Sequence, residues 1–315
     1  MTNILLTAIG GDIAQGAATI IRENFPGWRL VGTDIGERHG GSLYVDNVVK
    51  AVPAVDPGYL PWLQNLVDAE NIGITWPLSE PEIGVLARIK SAELGCSRLI
   101  TPGPLAVEIG NDKYETFRFL TSIGIDVPWT VLEASELNKA SFPCIYKPRH
   151  AAGSKSIFNC SGREEAHFFQ SRFPGGIFQE LLLPAEREVT CAVYRTRNGE
   201  THVLSLLRSL TGGLTGWAQV IEDEDISKQC RVAAEALELS GSINIQLRLT
   251  NTGPRIFEIN ARLSSTALMR HRMGFQDTVW TIKELLGEEI SIRMPNAGTV
   301  GVRTQSAAII KEKTI

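Results

Sequence analysis

Apolar positions along the chain change period partway through. In the first third, short unbroken apolar runs alternate with stretches of helical spacing. Residues 3–9 (N-I-L-L-T-A-I), 29–34, 72–77 and 99–100 read as strands, with a helix through Ile20 and Ile21 and another around Val85 to Leu94. Buried strands alternating with helices predict a small parallel α/β unit over about the first 105 residues. Asn111-Asp112-Lys113 then opens a helix over 114–123, with Asn111 or Asp112 as its cap. Beyond it, period-two alternation dominates. Residues 142–148, 157–158, 177–184, 186–194 and 202–207 read as strands, and 164–170 as a short helix. Thr211 to Gly216 reads as a flexible loop and 227–239 as an amphipathic helix, and helical spacing returns from Thr266 to Gly287. Successive antiparallel pairs after a parallel start predict an α/β half followed by an α+β half.

The most informative stretch is Asn244 to Arg262, N-I-Q-L-R-L-T-N-T-G-P-R-I-F-E-I-N-A-R. Two alternating runs flank a turn cluster at residues 250–254, which predicts a hairpin. Side chains two apart on a strand share a face. Asn244, Gln246 and Arg248 therefore share one face with Glu258, Asn260 and Arg262, while Phe257 and Ile259 are expected on the other. A turn centred near Thr252 sets Gln246 opposite Glu258 and Asn244 opposite Asn260, with Cβ atoms roughly 5 Å apart. One carboxylate and three amide oxygens on a single face suit Mg²⁺, which completes its shell with phosphate oxygens and water. The same face also fits a solvated polar edge, and the hairpin alone does not decide between them.

Composition narrows the classes. A chain of 315 residues with 43% hydrophobic and 21% charged residues is an ordinary globular protein of about two domains. A net charge of −4 argues against a nucleic-acid surface. No apolar run approaches the roughly 20 residues of a membrane span, and Met1 to Thr7 carries no basic leader, so neither a membrane partner nor a signal peptide is expected. Five cysteines without paired spacing fit a reducing, cytoplasmic setting and no cysteine metal site. The loop Gly10-Gly11-Asp12-Ile13-Ala14-Gln15-Gly16 follows a strand, and Asp34 ends the next one, as a dinucleotide fold begins. The loop is only G-G-x-x-x-G, so a scaffold needing tight turns there explains it as well. Residues 149–156, R-H-A-A-G-S-K-S, form a small-residue loop after the strand that ends in Lys147; its N–H groups can cradle phosphate, with Lys147 and Lys155 as counter-charge.

In order, G-G-D-I-A-Q-G, N-D-K with S-I-G-I-D-V-P, Y-K-P-R-H-A-A-G-S-K-S, F-Q-E-L-L-L-P-A-E-R-E-V-T and N-I-Q…F-E-I-N-A-R resemble the ATP-grasp superfamily. The resemblance is to its carbamoyl-phosphate-synthase-like carboxylate–amine ligase branch, and it spans residues 3–290. It implies a Rossmann-like pre-ATP-grasp domain over 1–105, a linker helix and lid over 106–183, and a central and C-terminal domain with the metal hairpin over 184–315. It also implies ATP as cosubstrate with Mg²⁺, or alternatively Mn²⁺. Lys113 and Lys147 would hold phosphates, with Gly153 and Ser154 in the lid loop. Glu180, Leu181 and Leu182 would form the adenine hinge, and Glu188 would bind the ribose. Glu258 and Asn260 would ligate the metal, with Gln246 as ligand or support. Arg262 would meet the γ-phosphate or the acyl phosphate. Arg208, His271 and Arg272 are candidates for the acceptor's carboxylate. Ala151 and Ser156 depart from the family's lid glycines, Ala192 stands where an acid is common, and Ala261 replaces a frequent proline.

The leading expectation is an ATP-dependent, ADP-forming ligase that joins a small-molecule carboxylate to an amine through an acyl phosphate. The short chain favours a stand-alone amino-acid or peptide-type enzyme, and its α/β domain could supply a homodimer surface. Two alternatives remain: a carboxyphosphate-using carboxylase or carbamoylating relative, and a catalytically silent ATP-binding module.

Overall fold

The computed structural model describes residues 2–89, 94–95, 97–150 and 156–310. Its first unit is built from β1 (Asn3–Thr7), α1 (Asp12–Asn24), β2 (Arg29–Asp34), β3 (Asn47–Lys50), α2 (Tyr59–Ala69), β4 (Ile74–Trp76), α3 (Glu80–Leu86) and β5 (Arg98–Leu99). The strands pair in parallel in the order β3-β2-β1-β4-β5. A parallel sheet covered on both faces needs apolar side chains on both, and β1 supplies them. Ile4 and Leu6 pack with Ala14, Ala17, Ala18 and Ile21 of α1, whereas Leu5 packs with Tyr59, Leu63 and Leu86 of α2 and α3.

The chain continues through α4 (Pro104–Gly110) and α5 (Lys113–Ser122) into β6 (Thr130–Val131), β7 (Cys144–Pro148), β8 (Phe158–Cys160), α6 (Arg163–Arg172) and β9 (Gly176–Glu180). Asp112 caps α5, its carboxylate accepting the N–H groups of Tyr114 and Glu115. The four strands form an antiparallel sheet in the order β6-β9-β7-β8. Its small core is aromatic, with Phe158 stacked on Phe169 at 4.5 Å between ring centroids and Tyr146 against Phe178 at 4.7 Å.

The third unit holds β10 (Glu188–Arg195), β11 (Thr201–Thr211), β12 (Leu214–Ile221), α7 (Glu224–Ala236), β13 (Gly241–Thr250), β14 (Gly253–Asn260), α8 (Ala267–Met273), α9 (Asp277–Leu286) and β15 (Val300–Val302). Its antiparallel sheet runs β14-β13-β10-β11-β12-β15. One face, including Val189, Cys191, Ile245 and Leu247, packs on α7 through Ile226, Cys230, Ala233 and Ala234. The opposite face is divided. Ala192, Tyr194, Leu204 and Leu206 meet Phe275 and Trp280 at one end, and Glu188, Gln246 and Arg248 make its other end polar. Cys144, Cys160, Cys191 and Cys230 are free and buried.

Several elements differ from the expectation. Residues 211–216 are not a loop: Gly212 and Gly213, both at positive φ, make a two-residue hairpin turn and Leu214 already begins β12. The helix expected around 85–94 starts earlier, at Glu80, because Ser79, Pro81 and the acids Glu80 and Glu82 form a helix start, and it ends at Leu86. Strand β3 and helices α2 and α4 add to the expected elements. The α/β and α+β mixture itself matches the sequence reading.

Candidate active site

The β13–β14 hairpin has the expected register, with Asn244 opposite Asn260 and Gln246 opposite Glu258. Between Gln246 and Leu247 the pairing shifts, so that Leu247 faces Ile256 and one residue of β14 is extra. Such a bulge breaks strict alternation. Ile256 and Ile259 both lie in the core, and Phe257 joins the polar face, correcting the expectation that it points the other way. Its ring lies 5.6 Å from the Lys147 ammonium and 5.8 Å from the Arg248 guanidinium, measured to the ring centroid.

Lys147 comes from β7 of the neighbouring sheet, so two units meet over this face. It is only 3% exposed. Burial drives its pKa from 10.5 down to about 8; Glu258 and Glu188 pull it up and Lys113 pushes it further down. Those interactions place Lys113, Glu188 and Glu258 within electrostatic reach of Lys147. Lys113 opens α5, where its N–H bonds the Arg149 carbonyl at 3.2 Å. Arg149 in turn grips Asp112 at 2.8 and 2.7 Å. Burial raises the Asp112 carboxyl, but Arg149 and the helix N–H groups outweigh it and hold that acid below its usual range.

Glu188 is doubly bound. Its Oε1 accepts from Arg208 at 3.0 and 2.6 Å, and its Oε2 from Arg248 at 2.5 Å. Arg208 also donates to Gln246 Oε1 at 3.0 Å and lies against Thr215. The Arg208 guanidinium is thus turned into the sheet, where it fixes Glu188 and Gln246. At the hinge, Glu180 Oε2 accepts from the Trp129 N–H and from Arg255, and the Leu182 carbonyl accepts from Arg248 at 2.8 Å. Leu181, between them, is half-buried. Gly153, Ser154, Lys155 and Ala151 of the expected lid lie outside the described residues; Ser156 has a φ of 64°.

Arg262 bridges two units. It donates to Glu80 at the start of α3, with nitrogens 3.1 and 2.8 Å from Oε1, and to Asn260 Oδ1 at 3.2 Å. Glu80 was not singled out from the sequence; its position in S-E-P-E, at the carboxyl end of a parallel strand, was the available signal. Arg270 was also missed. It is fully buried, paired with Asp277 through bonds of 3.0 and 2.5 Å, and it donates to Ser264 at 2.9 Å. This pair anchors the loop that follows Arg262. His271 and Arg272 are turned to α1: His271 lies 3.4 Å from Asn24, and Arg272 pairs with Glu23. Ala261 is buried beside Ile83 and Val107.

The donor set fits a hard divalent cation that also binds phosphate. Glu258 offers a carboxylate, and Asn260 and Gln246 sit beside it on paired strands, their amide oxygens accepting from Arg262 and Arg208. Among the described residues no group of three or more His, Cys, Asp or Glu could cage a metal. One carboxylate with two amides is the small protein share that Mg²⁺ completed by phosphates would need. The Asn260 amide nitrogen is buried without a partner, a donor left over for an anion's oxygen. Asp34 braces the glycine loop. Its oxygens accept the N–H groups of Gly10 and Gly36, each at 2.8 Å. A Cβ at residue 10 would sit 2.8 Å from Asp34 Oδ2, so glycine is required there by that acid itself.

The four-stranded sheet thus brings a buried lysine over a hairpin of acid and amides. Residues 110–266 match the model of the ATP-grasp domain, close to half of the chain. This stretch of the chain is thus an ATP-grasp domain. It is 31% identical over 93 residues to a D-alanine–D-alanine ligase of Thermotoga petrophila, covering 28% of this chain and 30% of that one. The chain therefore spans less than a third of the curated relatives it matches. N5-carboxyaminoimidazole synthetase from Staphylococcus aureus, complexed with ADP, superposes with a TM-score of 0.72 at 15% identity, over 92% of this chain and 78% of that one. An L-amino acid ligase from Bacillus licheniformis gives 0.71 at 16% identity, over 89% and 72%. At such identities the likeness shows the fold.

Proposed function

We propose that the protein is an ATP-dependent carboxylate–amine ligase forming ADP. The observation that carries this reading is the Lys147 ammonium, buried against Phe257 and set across from Glu258. A folded chain keeps a buried cation in such a place at a cost in stability, and an anionic ligand relieves it. ATP lies between the four-stranded and six-stranded sheets in this reading. Its adenine meets the 180–182 segment, and its ribose meets Glu188. Its phosphates meet Lys113, Lys147 and Arg262. Glu258 and Asn260 would hold Mg²⁺, with Gln246 beside them, and the ion would supply charge neutralisation at the phosphates.

A carboxylate oxygen of the substrate attacks the γ-phosphorus, and the bond to the β-phosphate oxygen breaks, releasing ADP. The amine then attacks the carbonyl carbon of the acyl phosphate, loses a proton, and expels inorganic phosphate. Arg262 compensates charge on the transferring group, which requires it to exchange its contact with Glu80 for the phosphoryl oxygens. Arg208 acts by holding Glu188 and Gln246 in place. The similarities to a D-alanine–D-alanine ligase and an L-amino acid ligase support amide formation as the outcome.

The test is ADP release across a panel of carboxylates and amines, with ¹⁸O in the carboxylate of the pair that turns over. The reading predicts release that depends on both substrates, with one ¹⁸O in the phosphate. Release driven by bicarbonate alone would assign a carboxylase instead, and nucleotide binding without stimulation by any pair would assign a silent module.

A further inference from the structure

The proposed reaction leaves the amine without a site, and the parallel sheet carries an unassigned cavity. It has a volume of about 430 Å³, within the range of small-ligand pockets. It opens beyond the carboxyl ends of β1, β2 and β4. The strand order reverses between β1 and β4, and in open α/β sheets that crevice is where ligands bind.

Its chemistry is one-sided. Ala51, Ala54 and Val55 wall it, and Asp34, Glu82 and Ser79 floor it; no lysine, arginine or histidine lines it among the described residues. Both acids are held rigidly. Asp34 is fixed by the N–H groups of Gly10 and Gly36. Glu82 is 7% exposed and receives the hydroxyls of Tyr59, at 3.1 Å, and Ser79. Burial, reinforced by Asp34, raises the Glu82 carboxyl above its usual range, although the hydroxyls of Ser79, Thr7 and Tyr59 pull it back. Thr33, wholly buried and paired in register with Thr7 on the same face, has a hydroxyl with no partner. Two fixed acids and an unused hydroxyl, with no basic side chain among the described lining residues, are what a cationic donor would satisfy.

The cavity also adjoins the candidate active site. A second pocket of about 580 Å³, containing Arg262 and His150, shares Ser79 and Pro81 with it. Glu82 follows directly on that shared edge, so an amine held there lies next to the pocket that contains Arg262.

We propose that this cavity binds the amine substrate, a primary amine on a small apolar body. Its nitrogen lies at the Ser79–Glu82 edge facing Arg262, and its apolar part lies against Ala54 and Val55. The assignment rests on the ligase reading for what happens to the amine, but binding itself needs no ATP.

Calorimetric titration of the full chain with butylamine, pentylamine and hexylamine, against the matching alcohols, tests it. The amines should bind at least about tenfold more tightly than the alcohols, one modest ion pair's worth. Ala54→Trp, which fills the cavity without touching either acid, should weaken amine binding about tenfold or more and leave Mg²⁺-dependent binding of a non-hydrolysable ATP analogue unchanged. Asp34→Asn should erase the preference for amine over alcohol. Equal binding of amines and alcohols, or amine binding indifferent to Ala54→Trp, overturns the assignment. Amine binding that behaves as expected in a protein that releases no ADP with any substrate pair would refute the ligase reading and leave the site standing.

Discussion

Replacing Lys147 by methionine should make the protein more stable and less able to bind nucleotide. The side chain is 3% exposed and its pKa falls from 10.5 to about 8. At about 1.36 kcal/mol per pH unit, that displacement means that the charged lysine costs the folded chain about 3 kcal/mol at neutral pH. Methionine removes that cost and keeps the apolar stem. It also loses the ammonium's attraction to the Phe257 ring, worth about 0.5–2 kcal/mol. The net gain is then about 1–3 kcal/mol, read as a higher denaturant midpoint and a melting temperature raised by a few degrees. Titration of an ATP analogue should show affinity lowered at least about thirtyfold, the effect of removing one partner of a buried charge pair. The sign of the pH dependence follows from the same shift. The unfolded chain holds this proton up to 10.5 and the folded chain only to about 8. The penalty is therefore fully present below pH 8 and fades as pH rises toward 10.5, a trend that Lys147→Met should abolish. A less stable variant with unaltered nucleotide affinity would refute the reasoning, since Lys147 would then be a structural residue.

Three other substitutions probe separate parts of the account. Arg270→Met leaves Asp277 buried and unpaired, and should destabilise by about 3–5 kcal/mol in chemical denaturation; Arg270→Met with Asp277→Leu should recover most of that loss. Glu188→Gln leaves Arg208 and Arg248 without their shared carboxylate; nucleotide affinity should fall about tenfold or more, measured by calorimetry. Gly10→Ala drives a Cβ to within 2.8 Å of Asp34 Oδ2 and should cost about 1–3 kcal/mol by thermal unfolding, with nucleotide affinity retained.

Much of the site could be read before any coordinates because it is local. The turn at 250–254 and the alternation around it set the pairing of Gln246 with Glu258, and the structure has that pairing. The bulge at Phe257 was not legible: unbroken alternation puts Phe257 with Ile259, and only the core positions of Ile256 and Ile259 reveal the extra residue. The Arg262–Glu80 contact joins residues 182 apart, beyond any periodic signal. Nothing in the periodicity marks Arg270 and Asp277, since a fully buried ion pair leaves no trace in hydropathy. Strand β12 was hidden by its glycine-rich start, which imitates a loop. In the first unit, β1, β2, β4 and β5 were legible as apolar runs, while β3 is only four residues long, with no fully buried position.

The central claim is that the polar face of the β13–β14 hairpin, under Lys147, is a magnesium–nucleotide site. Titration of a non-hydrolysable ATP analogue into the wild type and Glu258→Gln, with and without Mg²⁺, tests it directly. The wild type should bind more tightly with the ion than without it, and Glu258→Gln should lose that enhancement while remaining folded. Equal enhancement in both proteins would contradict the account.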